Sequence, residues 1–411
     1  MTAESLHLRA ARLVDGTGRP PVEDACVRVD RQGVITYAGP AGRAPAEPAD
    51  RTVDLGDRTM LPGFIDAHVH LGSAHGTPPS TQGLADPVLR TFDTAARLAR
   101  TLDAGVTTAR DLGGLPAGYR VAVETGRVRG PRLHTAVRIL SHTGGHADFR
   151  QPDGTDLSGG IGELVDTVDE VRLAVRRLLR DGADLIKVCA SGGMGSPYDD
   201  PDDEGLTVEE MAAVVDEVGR HGGKPVAAHA QGRAGILNAI RGGVTSIEHG
   251  YGLDDEGCDL AGERGIFVVP TLSTVYLGID RDRMPDYHYQ KKVRWSGLTK
   301  ENIARAIERG VPIAMGTDAA VGPHGRNLME LTYLVDLGMS PANAIVAGTR
   351  SAAELLGVAD RVGTLEPGKL ADLVVCDGDP LRDIGVLGEP GNVVWVLQNG
   401  VETKNLLERC A

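Results

Sequence analysis

Aromatic side chains are scarce in this chain: 4 Phe, 2 Trp and 8 Tyr among 411 residues. So few rings cannot furnish the successive stacking platforms that hold single-stranded nucleic acid. Positive charge is also in short supply, with 43 Lys and Arg against 57 Asp and Glu, a formal net charge of −14. Phosphate backbones require clustered cations, so nucleic-acid partners are excluded. No apolar run approaches the roughly 18 residues of a membrane-spanning helix, and no membrane partner is expected. The five cysteines (Cys26, Cys189, Cys258, Cys376 and Cys410) are odd in number and never spaced Cys-x-x-Cys. That is the pattern of reduced thiols. Met1–Asp15 lacks the charged-then-apolar order of a secretory leader. A cytoplasmic location is predicted.

What the chain has in quantity is glycine, 55 residues, falling repeatedly just after short apolar runs. Eight such runs stand out: Phe64–His70, Val106–Leu112, Arg132–Ser141, Asp184–Ala190, Pro225–Ala230, Ser246–His249, Ile266–Leu272 and Val311–Asp318. Most are rich in Val, Ile or Thr, as strands buried on both faces are. Between them lie segments of helical spacing: Pro87–Ala104, Ile161–Arg180, Thr207–Arg220 and Leu298–Glu308. Thr207 with Glu210 three residues on is a capping box, and Gly182 and Gly310 sit at helix ends. Eight alternating strand and helix units predict parallel strands closing a (β/α)8 barrel.

The two ends differ from the middle. Leu8–Val14, Ala25–Val29 and Val34–Ala38 are short β-type runs, as are Ala371–Cys376 and Val393–Val401, and Ala41–Arg51 is a Pro-rich loop. Neither end buries a core alone, so they are expected to pair. The predicted architecture is α/β: a distorted (β/α)8 TIM barrel over residues 61–362, with a small β-sandwich built from 1–60 and 363–411.

In a parallel barrel, functional residues collect where strands end. The first run ends in His68-Val69-His70; residues two apart on a strand share a face, so both imidazoles can reach one metal. Lys187 lies amid Leu185, Ile186, Val188 and Cys189, where a charged amine is costly to bury. The fifth, sixth and eighth runs end in His229, His249 and Asp318. One such residue is commonly a satisfied core group; five strand ends carrying ligand types together point to a metal site.

These motifs resemble the amidohydrolase superfamily over nearly the whole chain. Leu61-Pro-Gly-Phe-Ile-Asp-Ala-His-Val-His70 resembles its first-strand signature, Gly316-Thr-Asp318 its eighth strand, and Gly363–Val375 its C-terminal β-region. The resemblance implies a two-metal hydrolase. One ion, zinc by expectation, would take His68, His70 and Asp318; the second would take His229 and His249. Lys187, carboxylated by carbon dioxide, would bridge them. A hydroxide between the metals would attack the substrate carbonyl, with Asp318 carrying its proton to the leaving amine. A small-molecule substrate and a homo-oligomeric assembly are further implications.

Within the superfamily, mononuclear deaminase-like members usually lack the strand-four lysine and place Glu where this chain has Gly232. Ile186–Gly193 and His142-Thr-Gly-Gly-His146 instead resemble the prolidase and dipeptidase-like branch, which is often labelled imidazolonepropionase-related. The expected reaction is therefore cleavage of a peptide or N-acyl amino acid amide. His142 is the expected non-ligand catalytic group, binding the carbonyl oxygen or the substrate's carboxylate, and His146 is expected to be structural. Dipeptidase-like relatives commonly carry Tyr or His where this chain has Gln231, which puts carboxylate recognition at that position in question; Arg233 is a possible substitute. Tyr251, Tyr276 and His324 are further expected pocket residues, and Thr274–Trp295 is either a lid or an oligomer interface. Asp199–Glu204 reads as a solvated acidic loop that would repel anionic substrates approaching nearby.

The same metal site would serve a lactonase, an esterase or an organophosphate hydrolase. A metal-free Schiff-base lyase using Lys187 leaves the aligned ligands unexplained, and a non-catalytic assembly relative would be expected to have lost them.

Overall fold

The computed structural model describes residues 4–277, 281–282 and 284–407. Cys410 and a few positions within Thr274–Trp295 lie outside the described residues. The chain divides into two compact units, Met1–Asp66 with Ala99–Thr108 and Gly325–Ala411, and Ala67–Leu98 with Ala109–His324.

In the first unit, both ends of the chain build one mixed sheet. Its strands run in the order Val401–Asn405, Val393–Gln398, Leu373–Cys376, Thr59–Pro62, Leu6–Leu13, Val22–Val29, Ile35–Pro40, with Arg51–Asp54 also pairing with Leu6–Leu13. The outer strand bonds back on the C-terminal segment, Ile35 N to Lys369 O and Gly368 N to Ile35 O, both 2.8 Å. The sheet thus curls around a core of Leu8, Leu13, Ile35, Met60, Leu373 and Trp395. Asn399 and Gly400 turn with φ of 52° and 72°, which splits the expected Val393–Val401 run into a hairpin.

The second unit holds most of the barrel's staves. The fourth to seventh staves, Ile186–Cys189, Val226–Ala230, Ser246–His249 and Phe267–Val269, are neighbours in one parallel sheet. The third run is split at Val137, whose φ is 65°. Its first half, Arg132–Thr135, neighbours the stave Val106–Asp111, and its second, Ile139–Ser141, pairs with Ile186–Cys189. The eighth run forms no regular strand. It closes the ring by single contacts instead: Ile313 bridges Val268, Ala67 N bonds Met315 O, and Val69 bridges Ala319. A Cβ on Gly316 would lie 2.4 Å from Val269 and 2.8 Å from His68, so glycine is what lets this stave come so close to its neighbours. The result is a distorted (β/α)8 barrel.

The helices follow their signals with two differences. Val208–Arg220 begins at the reciprocal Thr207–Glu210 capping box. The helix expected over Ile161–Arg180 starts only at Val168, capped by Thr167. The preceding Gly162–Leu164 adds a parallel strand beside Ile139–Ser141, and a Cβ at Gly162 would lie 2.0 Å from Ala147 O, so only glycine fits there. The helix expected at Leu298–Glu308 reaches back to Asp286.

Candidate metal centre

Two of the ligand-type residues sit where the backbone turns left-handed. Asp318 has φ 55° and His249 φ 74°, conformations that non-glycine residues adopt at a cost of about 1–3 kcal/mol and that gather at functional sites. The Asp318 N–H donates to His68 O at 2.7 Å, which fixes the carboxylate beside the first stave. Asp318 Oδ1 then lies 3.4 Å from His70 Nε2 and 3.6 Å from His68 Nε2. One ligand atom from each of these three residues falls within 4.8 Å of the others.

The remaining histidines crowd the same end. Ring centroids are 5.0 Å apart for His68 and His249, and 4.6 Å for His229 and His249. Burial holds His68, His229 and His249 well below the usual imidazole range, and the neighbouring positive groups add to it. Each ring also has one nitrogen engaged. His68 Nδ1 donates to the Glu248 carboxylate at 2.8 Å, His70 Nδ1 to Gly113 O at 2.9 Å, and His229 Nε2 to Gly192 O at 3.0 Å. His249 Nδ1 lies 2.7 Å from Thr271 Oγ1. The ring nitrogens opposite these partners are Nε2 of His68, His70 and His249, and Nδ1 of His229.

Lys187 stands among them, 2% exposed, its Nζ without a hydrogen-bond partner among the described residues. Burial lowers its pKa, opposed by the Glu248 charge. Neutral imidazoles with oriented lone pairs, a carboxylate and an orphaned buried amine make a donor set that fits a divalent cation. His68, His70 and Asp318 could hold one.

Sequence reasoning missed the support behind these groups. Glu248 is fully buried between Arg110 (2.7 Å), Ser246 and His68, a carboxylate that holds the His68 ring in its ligating tautomer. The signal was present as one buried acid on the sixth stave and one buried base on the second. Asp111, pushed up to about 6 by burial, accepts from the N–H groups of Leu71 (2.6 Å) and Gly113 (3.0 Å) and pins the loop after His70. A Glu248→Gln variant is expected to bind divalent metal about 10–100-fold more weakly, read by competition with a chelator.

The other expected site residues spread out. His142 follows the third run, half-exposed, with Nδ1 donating to Thr143 O at 2.8 Å. His146 stacks on His229 at 4.1 Å and bonds Asp199 at 2.8 Å. Gln231 is buried, its Oε1 without a partner among the described residues. Arg233 is no substitute there, being exposed and paired with Asp254 and Glu256. Tyr251 is buried against Met194, Val275 and Trp295, its hydroxyl engaged by Thr271 and Thr274. It backs His249 rather than offering a free polar tip. Tyr276 lies under the Lys300 ammonium at 3.9 Å, and His324 Nε2 donates to Ser73 O at 3.0 Å.

The acidic loop is not simply solvated. Asp199 is buried on His146, and Asp200 and Asp202 pair with Arg294. Lys291 donates to the carbonyls of Gly193, Ser196 and Asp199, so the aromatic segment's helix is stapled over this loop within the chain.

Burial lowers His134, His288 and His324 to about 4 each. A depressed imidazole binds fewer protons folded than unfolded, so stability is complete above pH 6.5 and falls toward pH 4. The urea midpoint is expected to drop across that window.

The Amidohydrolase family model matches residues 59–403. Ochratoxinase of Aspergillus niger is 34% identical over 416 aligned positions, covering 95% of this chain and 85% of that protein. Its crystal structure superposes with a TM-score of 0.89 at 31% identity, covering 98% and 96%. A prolidase complexed with N-methylphosphonate-L-proline gives a TM-score of 0.91 at 32% identity over 98% and 100%. A Xaa-Pro dipeptidase with methionine bound in its active site gives 0.86 at 32% over 97% and 99%. No described helix is long and apolar enough to cross a membrane. With its barrel and the ligand-type residues at the stave ends, this chain belongs to the amidohydrolase family, as a hydrolase of carbon–nitrogen bonds.

Proposed function

We propose that the protein hydrolyses a peptide or N-acyl amino acid amide at a two-metal centre. The observation that carries this reading is the buried Lys187 amine, without a hydrogen-bond partner among the described residues and within electrostatic reach of three neutral histidines. A lone cation there is unfavourable, and carboxylation removes it. The neutral amine adds carbon dioxide, its lone pair forming the N–C bond and one N–H proton leaving, to give an anionic carbamate. Carboxylated Lys187 would then join His68, His70 and Asp318 on one side and His229 and His249 on the other, a set suited to zinc. Divalent ions held there would acidify the attacking water and polarise the scissile carbonyl.

The chain's own groups do the rest. Asp318, fixed by its backbone bond to His68 O, takes the proton from the attacking water and delivers it to the leaving amine. Glu248 keeps His68 in register, and Thr271 does the same for His249. His142, with Nδ1–H committed to Thr143 O, is the group proposed to meet the carbonyl oxygen or the substrate's carboxylate. The named activities of the relatives, ochratoxinase, prolidase and Xaa-Pro dipeptidase, support an amide bond next to an amino acid. A β domain of 1–60 with 363–411, a catalytic barrel of 61–362, a homo-oligomer and a cytoplasmic location belong to the same proposal.

The test is amine release from dipeptides and N-acyl amino acids by metal-replete enzyme, beside lactones and phosphotriesters read by acid release. Amide turnover supports the proposal. Turnover of lactones or phosphotriesters alone would replace it with the esterase-type reading at the same centre.

A further inference from the structure

The buried stripe of the helix Asp286–Glu308 reads Lys292, Trp295, Thr299, Asn302, Ile303 and Ala306, the spacing of a face turned to the core. A lysine heads that stripe where an apolar residue would serve packing. Its side chain is 6% exposed, and its ammonium donates to Thr274 O at 2.7 Å. Among the described residues it has no salt-bridge partner, and the acid whose charge reaches it is Asp318.

Thr274 ties Lys292 to the metal centre. Thr274 Oγ1 bonds the Tyr251 hydroxyl, which lies 3.3 Å from Thr271 Oγ1, itself 2.7 Å from His249 Nδ1. Lys291, by contrast, is saturated by loop carbonyls. A buried cation with no counter-ion is unfavourable unless a ligand supplies one. Burial lowers Lys292 to about 8, which leaves it mostly charged at neutral pH. His288, one turn earlier, is lowered to about 4 and adds no second charge. In the acidic loop, Asp200 and Asp202 share Arg294, and Asp199 bonds His146.

We propose that Lys292 is a specificity residue that receives the free carboxylate of the substrate's leaving amino acid, so the enzyme prefers N-acyl amino acids and dipeptides to their C-terminal carboxamides. This rests on the amide-hydrolysis reading and adds its substrate class. Gln231 stands at the position questioned for carboxylate recognition, and Lys292 supplies from another element the charge it lacks.

The experiment uses metal-reconstituted wild type, Lys292→Met and Lys292→Arg. Amine release is measured on a panel of N-acetyl-L-amino acids and on their carboxamides. Calorimetry measures binding of the corresponding free amino acids and amino acid amides, which are not turned over. Wild type is expected to favour the free acid in both assays. Lys292→Met should reduce that preference by roughly 100-fold, in KM and Kd more than in kcat, while Lys292→Arg keeps most of it. A wild type indifferent to the carboxylate, or a preference that survives Lys292→Met, overturns the proposal. A Lys292-dependent binding preference without amine release would keep the carboxylate site and remove the amide-hydrolase reading. Amine release without preference would do the reverse.

Discussion

Replacing Lys187 is expected to move activity and stability in opposite directions. In Lys187→Ala, kcat/KM for an amide substrate should fall on the order of 1000-fold or more, since both the bridging ligand and the paired arrangement of ions are lost. Metal content should fall with it. The metal-free protein responds differently, because the native amine is 2% exposed and has no hydrogen-bond partner among the described residues. An unsatisfied buried polar group costs about 1–3 kcal/mol, so Lys187→Met, which keeps the volume and removes the amine, should stabilise the metal-free fold by about that amount. Urea unfolding of metal-free wild type and Lys187→Met reads this directly. A destabilised Lys187→Met would mean that the amine has a partner in solution and is not held ready for carbon dioxide.

The second large effect concerns Arg110. Its guanidinium lies 2.7 Å from the Glu248 carboxylate and also donates to Ser246 Oγ at 3.1 Å and Ala67 O at 2.5 Å. Removing one member of a buried ion pair strands the other, at a cost of about 3–5 kcal/mol. Arg110→Met should therefore lower stability by about that much and weaken metal binding through the displaced His68. Adding Glu248→Gln in the same chain removes the stranded charge and should recover most of the stability but not the metal affinity. Denaturant unfolding of the two single variants and the double variant gives the coupling. Additive effects would place Arg110 and Glu248 in separate roles.

The barrel was legible because its staves are short, apolar and glycine-terminated, and every chosen run but the eighth lies on an observed strand. The third and eighth staves show the limit. Val137 at φ 65° and the single-contact closure through Ile313 and Met315 depend on neighbours far away in sequence, and no local period encodes them. The helix Asp286–Glu308 extends well before Leu298 because its first turns dock on the loop of residues 193–202, a contact that overrides local signals. The histidines, Lys187 and Asp318 stood out by residue type and by their place on the apolar runs, while the roles expected of them came from the family resemblance. Glu248 and Arg110 were not, since each looks like an isolated charge until the second and sixth staves come together. Tyr251 was read as pocket lining from its place after His249; the chain turns it into the core, where its hydroxyl meets Thr271 and Thr274.

The measurement that bears most directly on the whole account is metal stoichiometry and amine release on one preparation, before and after chelator treatment and after restoring zinc with bicarbonate. The account predicts two ions per chain, amine release from a dipeptide or N-acyl amino acid that disappears with the ions, and recovery that requires both zinc and bicarbonate. Undiminished amine release from the metal-stripped protein would contradict it.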